Sequence, residues 1–171
     1  MVDATVHLLD RGTVRADKGY LLDGYTMASA DDPDPDHEFA DSVIWSAVVD
    51  HPEATFLWDT GAHPEAADGY WPAPLYDAFE HLDADEHALE DDLDRAGYGV
   101  DDLDGVVMSH LHLDHAGGLY AFEGTDVPVY VHAEELKYAY YSAKTEEGST
   151  AYLASDFDRE LNWSQIHRHR H

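Results

Sequence analysis

The densest group of reactive side chains in the sequence is a run of three histidines and one aspartate within six positions, at His110, His112, Asp114 and His115. His110 and His112 are two positions apart, so on an extended segment their side chains point the same way and can hold one ion. Asp114 and His115 follow and can face a second ion. Imidazole and carboxylate donors without thiolates suit Zn, Mn, Fe or Co. The run therefore predicts a metal site rather than a solvated polar loop.

The chemistry expected of two metal ions held by this run is hydrolysis. Two ions about 3.5–4 Å apart bridge a water molecule and lower its pKa toward neutrality, which gives a hydroxide nucleophile at physiological pH. Gly117 and Gly118 follow the run after Ala116, and glycine lets the backbone approach a bound molecule closely. We therefore expect these two glycines to face the substrate.

Two short apolar strands are expected to deliver the functional residues. Residues 105–108 end directly in the histidine run, so the run lies on a loop at the carboxyl end of a strand. Residues 54–58 form a second strand, which ends in Asp59-Thr60-Gly61. An acid, a hydroxyl and a glycine are a common turn composition, so taken alone these three residues indicate no more than a turn.

The remaining elements are predicted from hydrophobic periodicity and turn residues. A helix is expected to begin at the Asp83 cap, with Glu86 completing a capping box, and to end at Gly97. The proline-rich residues 62–80 are expected to form an irregular loop of the kind that often serves as a lid. Strands are predicted at 2–9 (an edge strand), 42–49, 54–58, 105–108 and 127–131, extended segments at 19–22 and 25–27, a helix at 133–142 with Glu134, Glu135 and Lys137 exposed, and irregular chain at 143–162.

The composition limits the class of protein and its partners. The chain has 171 residues, 44% of them apolar, and no cysteine, which suits one domain with a sizeable core and excludes disulfides and thiolate ligands. Acidic residues outnumber basic ones by 37 to 9, for a net charge of −28. Such a surface repels itself in dilute buffer and is screened in molar salt, so we expect a cytoplasmic protein of a high-salt organism. Without a basic stripe or a long apolar run, neither nucleic acid nor a membrane is an expected partner.

The histidine run and the Asp59 turn together resemble a known pair of motifs. His110-x-His112-x-Asp114-His115 is similar to the signature of the metallo-β-lactamase superfamily, and Asp59-Thr60-Gly61 is similar to its earlier motif. Residues 109–122 and 129–139, with Leu161-Asn162-Trp163, resemble the N-acyl-homoserine lactonase branch. The resemblance implies an α/β (α+β) fold, the αββα sandwich, of which this chain covers mainly the N-terminal half.

The resemblance also implies a reaction and a role for each residue. Two divalent ions, expected to be zinc, would be held by the histidine run, with His110, His112, Asp114 and His115 as ligands. Asp59 would hold the metal loop by hydrogen bonds. A hydroxide bridging the ions would open the ring of a small-molecule lactone or ester, and Asp114 would pass a proton to the leaving alkoxide.

Part of the family's site has no match in this sequence. The family draws a further histidine from a later Gly-His turn, and residues 116–171 contain no Gly-His pair. His132 is expected to be a surface or packing residue. The histidines at 167, 169 and 171 alternate with arginine in a His/Arg tail, residues 164–171, that is expected to be disordered. The expected ligand set is therefore incomplete, with two protein ligands for each ion.

These departures lead to three expectations and leave two alternatives open. Residues 1–163 would form a partial domain with weak metal affinity and little turnover. They would also self-associate through an apolar sheet face that a second sheet would otherwise cover. One alternative is a glyoxalase II-like thioesterase on the same fold, and the other is a non-catalytic remnant that only binds a metal or a partner.

Overall fold

The fold is one mixed sheet with short helices packed against it. The computed structural model describes residues 3–145 and 149–167. Its strands are β1 (Thr5–Asp17), β2 (Phe39–His51), β3 (Ala54–Trp58), β4 (Phe79–His81), β5 (Gly105–Val107), β6 (Pro128–His132) and β7 (Asn162–Ile166). Its helices are α1 (Lys18–Leu21), α2 (Ala73–Ala78), α3 (Leu89–Arg95), α4 (Leu113–Ala116), α5 (Ala133–Ser142) and α6 (Ala154–Phe157), with 3-10 segments at Ala66–Asp68, Ala84–Glu86, Val100–Asp102 and Gly117–Phe122.

The sheet changes from antiparallel to parallel pairing at β3. The strand order is β4-β1-β2-β3-β5-β6-β7, antiparallel from β4 to β3 and parallel from β3 to β7. Trp58 lies opposite Val107 in the β3–β5 register. The residues that follow these two strands therefore emerge side by side at one edge of the sheet, where ligands of such sheets commonly bind. The strands predicted at 42–49 and 54–58 are confirmed and pair with each other as an antiparallel hairpin.

The larger core lies between one face of the sheet and the helices α3 and α5. Leu57, Val106 and Val129 come from three neighbouring strands and are completely buried on this face, because alternate residues of a strand point to the same side. Burial of each such side chain stabilises the fold by about 1.5–3 kcal/mol. A second cluster around Trp71 packs the segment after β3 against β1 and β2. No helix within the described part of the chain is long and apolar enough to cross a bilayer.

The other face of the sheet carries exposed apolar side chains. Val6 and Leu8 of β1, Val43 and Trp45 of β2, and Trp58 of β3 point to this side in the antiparallel register, and each is at least 40% exposed. We call this surface the open face. It matches the uncovered apolar sheet face expected from the sequence, and a contiguous patch of this kind is uncommon on monomeric proteins.

The predictions for the first thirty residues are wrong in two places. β1 continues to Asp17, well beyond the predicted end at residue 9, and it is not the edge of the sheet because β4 pairs with residues 14–16. A bulge between Asp10 and Thr13 breaks the alternation of the strand, which hid its second half from a pattern search. Of the segments predicted to be extended, Lys18–Leu21 is a helical turn and residues 25–27 lie outside the strands.

The long irregular segments contain more structure than predicted. Residues 62–80 include α2 and lead into β4, and residues 143–162 include α6. The predicted capping box is also wrong. Asp83 accepts a hydrogen bond from the Thr13 N–H at 2.8 Å, and α3 begins only at Leu89. The predicted helix end is confirmed, since Gly97 adopts a φ of +89°, the left-handed conformation common after helices.

The prediction of a disordered tail over residues 164–171 is wrong for its first residues. Residues 164–166 extend β7 and pair in parallel with β6, so the folded chain continues past the boundary predicted at 163. The expected disorder of residues 168–171, which include His169 and His171, concerns residues outside the described ones.

Candidate metal centre

Asp59 lies directly after β3 and ties the histidine run to the sheet. Its Oδ1 accepts a hydrogen bond from the Ser109 N–H at 2.7 Å, and its Oδ2 accepts from the Ser109 hydroxyl at 2.6 Å. The same Oδ2 accepts from His115 Nδ1 at 2.9 Å. Asp59 is 2% exposed and adopts a φ of +55°, a conformation that aspartate tolerates better than most residues. One buried carboxylate thus orients the start of the loop and one of its imidazoles.

Thr60 joins the same turn to the far end of the run. Its N–H and its hydroxyl both donate to the carbonyl oxygen of His115, at 2.8 and 2.7 Å. The expectation that the two glycines face a substrate is wrong. Gly117 and Gly118 are buried, and a Cβ on either would collide with the backbone of the segment 60–63. The glycines are needed because the histidine loop packs directly on the Asp59 turn.

The four predicted metal ligands lie together at the start of α4. The ring centroid of His110 is 4.4 Å from that of His112 and 4.0 Å from that of His115. His115 Nε2 is 3.4 Å from Asp114 Oδ2. Burial lowers the pKa of His110 and of His112, so both rings are neutral and able to donate to a cation near pH 7. Burial opposes ionisation of Asp114, but its hydrogen bond to His115 outweighs this and lowers the pKa of the carboxyl.

The chemistry of these donors fits a divalent cation. His115 donates through Nδ1 to Asp59, which leaves Nε2 directed toward Asp114. A histidine whose second nitrogen is held by a carboxylate is the usual arrangement at protein metal sites. Among residues 3–145 and 149–167, no group of three or more His, Asp or Glu side chains is arranged so that it could hold a metal ion. The metal-binding roles of the four residues therefore remain a prediction.

Glu135, which was predicted to lie on an exposed helix face, is a further residue of the site. Its Oε1 accepts a hydrogen bond from the Leu111 N–H at 2.9 Å and another from the Tyr152 hydroxyl at 3.0 Å. The Tyr152 ring packs edge-on against His112, with centroids 4.5 Å apart. Glu135 therefore holds the middle of the histidine loop, between two of its predicted ligands. Its place in the first turn after β6 was the only sequence signal available.

Replacing Glu135 by alanine is expected to lower the free energy of unfolding by about 1–3 kcal/mol, because the Leu111 N–H and the Tyr152 hydroxyl both lose their acceptor. Glu134→Ala is the matched control, since Glu134 lies on the same turn of α5 with its side chain 75% exposed. That control should change stability by no more than about 0.5 kcal/mol. Urea denaturation of both variants measures the difference, and equal effects would contradict the role given to Glu135.

A cavity of about 390 Å³ opens beside His112. Four aromatic rings line it, from Tyr20, Phe79, Tyr138 and Tyr152, together with the polar residues Ser142, Ser149 and Thr150. Apolar walls next to a few polar groups are typical of small-molecule sites.

His132, expected to be a surface or packing residue, lies apart from the run and accepts a hydrogen bond from the Glu134 N–H, which caps α5.

Comparison with known proteins gives one consistent set of relatives. A profile described as the metallo-beta-lactamase superfamily matches residues 40–163. The N-acyl homoserine lactonase AiiB of Agrobacterium fabrum is 30% identical over 167 residues, which are 94% of this chain and 60% of that protein. The N-acyl homoserine lactonase AiiA of Bacillus thuringiensis subsp. kurstaki is 34% identical over 100 residues, 56% of this chain and 39% of that protein.

The solved structures agree with this set. An N-acyl homoserine lactone hydrolase, solved with N-hexanoyl-L-homoserine bound at its catalytic metal centre, superimposes with a TM-score of 0.77 at 25% identity. The match covers 98% of this chain and 60% of the hydrolase. A probable metal-dependent hydrolase from Staphylococcus aureus shares the fold, with a TM-score of 0.68 at 18% identity over 99% of this chain and 61% of its own.

This chain spans 60% of the length of AiiB and of the hydrolase solved with its product. The profile match nevertheless covers well over half of the chain and includes both the Asp59 turn and the histidine run. The α/β fold class predicted from the sequence is confirmed by the match and by the solved structures. The chain belongs to the metallo-β-lactamase superfamily.

Proposed function

We propose that the protein is a metal-dependent hydrolase that opens the ring of N-acyl-homoserine lactones. The observation that carries the proposal is the cluster of His110, His112, Asp114 and His115, held on Asp59 at the end of two parallel strands. The likeness to AiiB and to a hydrolase that binds N-hexanoyl-L-homoserine supports the choice of substrate. The aromatic cavity beside His112 suits an apolar acyl chain.

His110, His112, Asp114 and His115 would hold two divalent ions, and we propose zinc, the ion that the family resemblance implies among those that imidazole and carboxylate donors suit. Such ions, when bound, polarise a carbonyl oxygen and activate water at neutral pH. Asp59 keeps His115 oriented through its Nδ1. The lowered pKa of Asp114 keeps its carboxylate ionised, so it can accept a proton and return it to the leaving alkoxide oxygen.

We also propose that metal affinity and turnover of the 171-residue chain are low. The run supplies two protein ligands for each ion, whereas catalytic zinc sites ordinarily have three. Activity is therefore expected only with zinc in large excess over the protein. Stoichiometric tight zinc binding together with rapid lactone hydrolysis by the purified chain would contradict this proposal.

The test of the function compares two substrates in excess zinc. We expect ring opening of N-hexanoyl homoserine lactone above a zinc-only blank and no hydrolysis of a glutathione thioester, which a glyoxalase II-like enzyme would cleave. His112→Ala should remove the activity. His37→Ala is the control, because the His37 side chain is 68% exposed. Hydrolysis that persists in His112→Ala, or cleavage of the thioester alone, would overturn the proposal.

The charge of the protein supports a high-salt cytoplasm as its environment. With a net charge of −28, repulsion between like charges destabilises the compact chain at low ionic strength, and molar salt reduces the Debye length to about 3 Å. We expect Tm to rise by several degrees between low salt and 2 M KCl, since about 1 kcal/mol shifts Tm by about 2–4 °C in a chain of this size. Thermal denaturation in KCl and in sucrose at equal osmolality separates charge screening from solvent exclusion.

The open face supports the proposal that the chain self-associates. Leu8 and Trp45 belong to this face and are 72% and 51% exposed. Apolar area removed from water contributes about 25 cal/mol per Å², so two open faces would pack together despite the acidic surface, most strongly in high salt. Sedimentation velocity should show dimers or larger species that Trp45→Asp reduces. A strictly monomeric wild-type chain at all salt concentrations would contradict this.

A further inference from the structure

Arg11 of β1 is a buried arginine in contact with the Asp59 turn. It is 1% exposed. Its Nη2 donates to the Thr60 carbonyl oxygen at 3.2 Å, and its Nη1 donates to the Ala88 carbonyl oxygen at 3.3 Å. Its guanidinium also forms an ion pair with Asp92 of α3. Burial lowers the pKa of Arg11 to about 10, so the guanidinium stays charged at neutral pH.

The backbone of β1 is shaped to point Arg11 at this turn. The bulge between Asp10 and Thr13 shifts the register of β1 against β2, and Gly12 within it has a φ of +91°. Bulges of this kind re-aim a side chain out of the ordinary alternation of a strand. The turn has a matching shape, because a Cβ on Gly61, whose φ is +73°, would lie 2.6 Å from Arg11 Nε.

Within the described residues, the hydrogen bonds of Arg11 lead to the histidine loop through Thr60. While the Thr60 carbonyl accepts from Arg11, the Thr60 N–H and hydroxyl both donate to the His115 carbonyl. The planar guanidinium spreads five N–H donors over a rigid fork and so reaches two carbonyl oxygens and a carboxylate at once, whereas the three donors of a lysine sit on one nitrogen. The charged, rigid guanidinium of Arg11 therefore supports the turn that carries Asp59.

We propose that Arg11 is a positioning residue that clamps the Asp59 turn against the histidine loop, with Asp92 holding its guanidinium in place. This proposal rests on the proposed function in one respect, since the clamped loop is the one expected to bind the metal. Its test uses the metal-free chain, so it can fail while the proposed lactonase function holds, and the reverse. The competing explanation is that the Arg11–Asp92 pair only ties β1 to α3. That explanation predicts a general loss of stability without a local effect on the loop.

Amide hydrogen exchange of the metal-free chain, measured by NMR, separates these two explanations. The reporters are the amides of Thr60, Ser109 and Gly118, which donate to His115, Asp59 and Thr60 respectively. In Arg11→Met, these amides should exchange about tenfold faster, while the ladder amides of β3 and β5 change by less than about twofold. Arg15→Met is the matched control, because Arg15 lies on the same strand in an exposed ion pair with Asp41, and it should leave the loop amides unchanged.

Arg11→Lys keeps a positive charge beside Asp92 and is therefore expected to have a Tm closer to the wild type than that of Arg11→Met. Its loop amides should still exchange faster, because one ammonium group cannot span Thr60, Ala88 and Asp92 together. Uniform acceleration throughout the sheet, or wild-type exchange at the loop in folded Arg11→Lys, would overturn the proposal. Unfolding of both variants would also overturn it, because Arg11 would then serve the fold as a whole.

Discussion

Asp59→Ala is expected to lower the free energy of unfolding by about 3 kcal/mol or more and to abolish zinc binding by the loop. Asp59 accepts three hydrogen bonds, two from Ser109 and one from His115, and each buried donor left without its acceptor costs about 1–3 kcal/mol. The backbone adds a smaller loss, because alanine tolerates a φ of +55° less well than aspartate does. Urea denaturation of the metal-free chain measures the first effect, and a competitive zinc titration measures the second.

Asp59→Asn separates the hydrogen bonds from the backbone. Asparagine tolerates a positive φ and can keep one oxygen for the Ser109 N–H. It places an NH₂ group where Oδ2 now accepts from His115. We therefore expect a smaller loss of stability than in Asp59→Ala but the same loss of zinc binding. An asparagine variant that binds zinc as the wild type does would show that the loop does not depend on the orientation of His115 by Asp59.

The parts of the site that could be predicted are those whose residues are neighbours in the sequence. The histidine run contains four possible metal ligands within six positions, which is enough to predict a metal site. The strands before it and before Asp59 are short apolar segments with clear ends. Because β3 and β5 are parallel neighbours in register, the two strand ends meet at one edge. The sequence pattern alone marks Asp59 as part of a turn, and the expectation that it holds the loop came from the resemblance to the metallo-β-lactamase superfamily; the parallel register of β3 and β5 explains why the two meet.

Arg11 and Glu135 could not be predicted because their roles depend on distant contacts. Arg11 is aimed inward by a bulge that no periodicity reveals, and its partners are 49 and 77 positions away. Glu135 stands among charged residues typical of a solvated helix face, and its contact depends on how α5 meets the loop. Gly117 shows the same limit, because sequence cannot tell whether a glycine makes room for a ligand or for another part of the chain. Here the backbone at residues 62–63 occupies that space.

The stability of the metal-free chain is expected to be greatest near pH 6.5 and to fall by up to about 3 kcal/mol as the pH rises to 9. Burial lowers the pKa of His115, but hydrogen bonds to Asp114 and Asp59 outweigh this and raise it to about 9. In the unfolded chain its pKa is about 6.5. The protonated ring therefore stabilises the fold fully below pH 6.5, and this contribution is lost as the pH rises through 9, at about 1.4 kcal/mol per pKa unit.

His110 and His112 of the same loop affect stability in the opposite direction to His115, and they do so at lower pH. Burial lowers the pKa of His110 and of His112, so the unfolded chain binds protons more readily and stability falls as the pH drops below 6.5. His115→Gln should flatten the upper limb of the profile and leave the lower limb in place. A proton on His115 must also leave before Nε2 can bind an ion, so zinc affinity should rise over the window in which stability falls. An unchanged slope between pH 6.5 and 9 in His115→Gln, measured by urea denaturation, would show that another group titrates there.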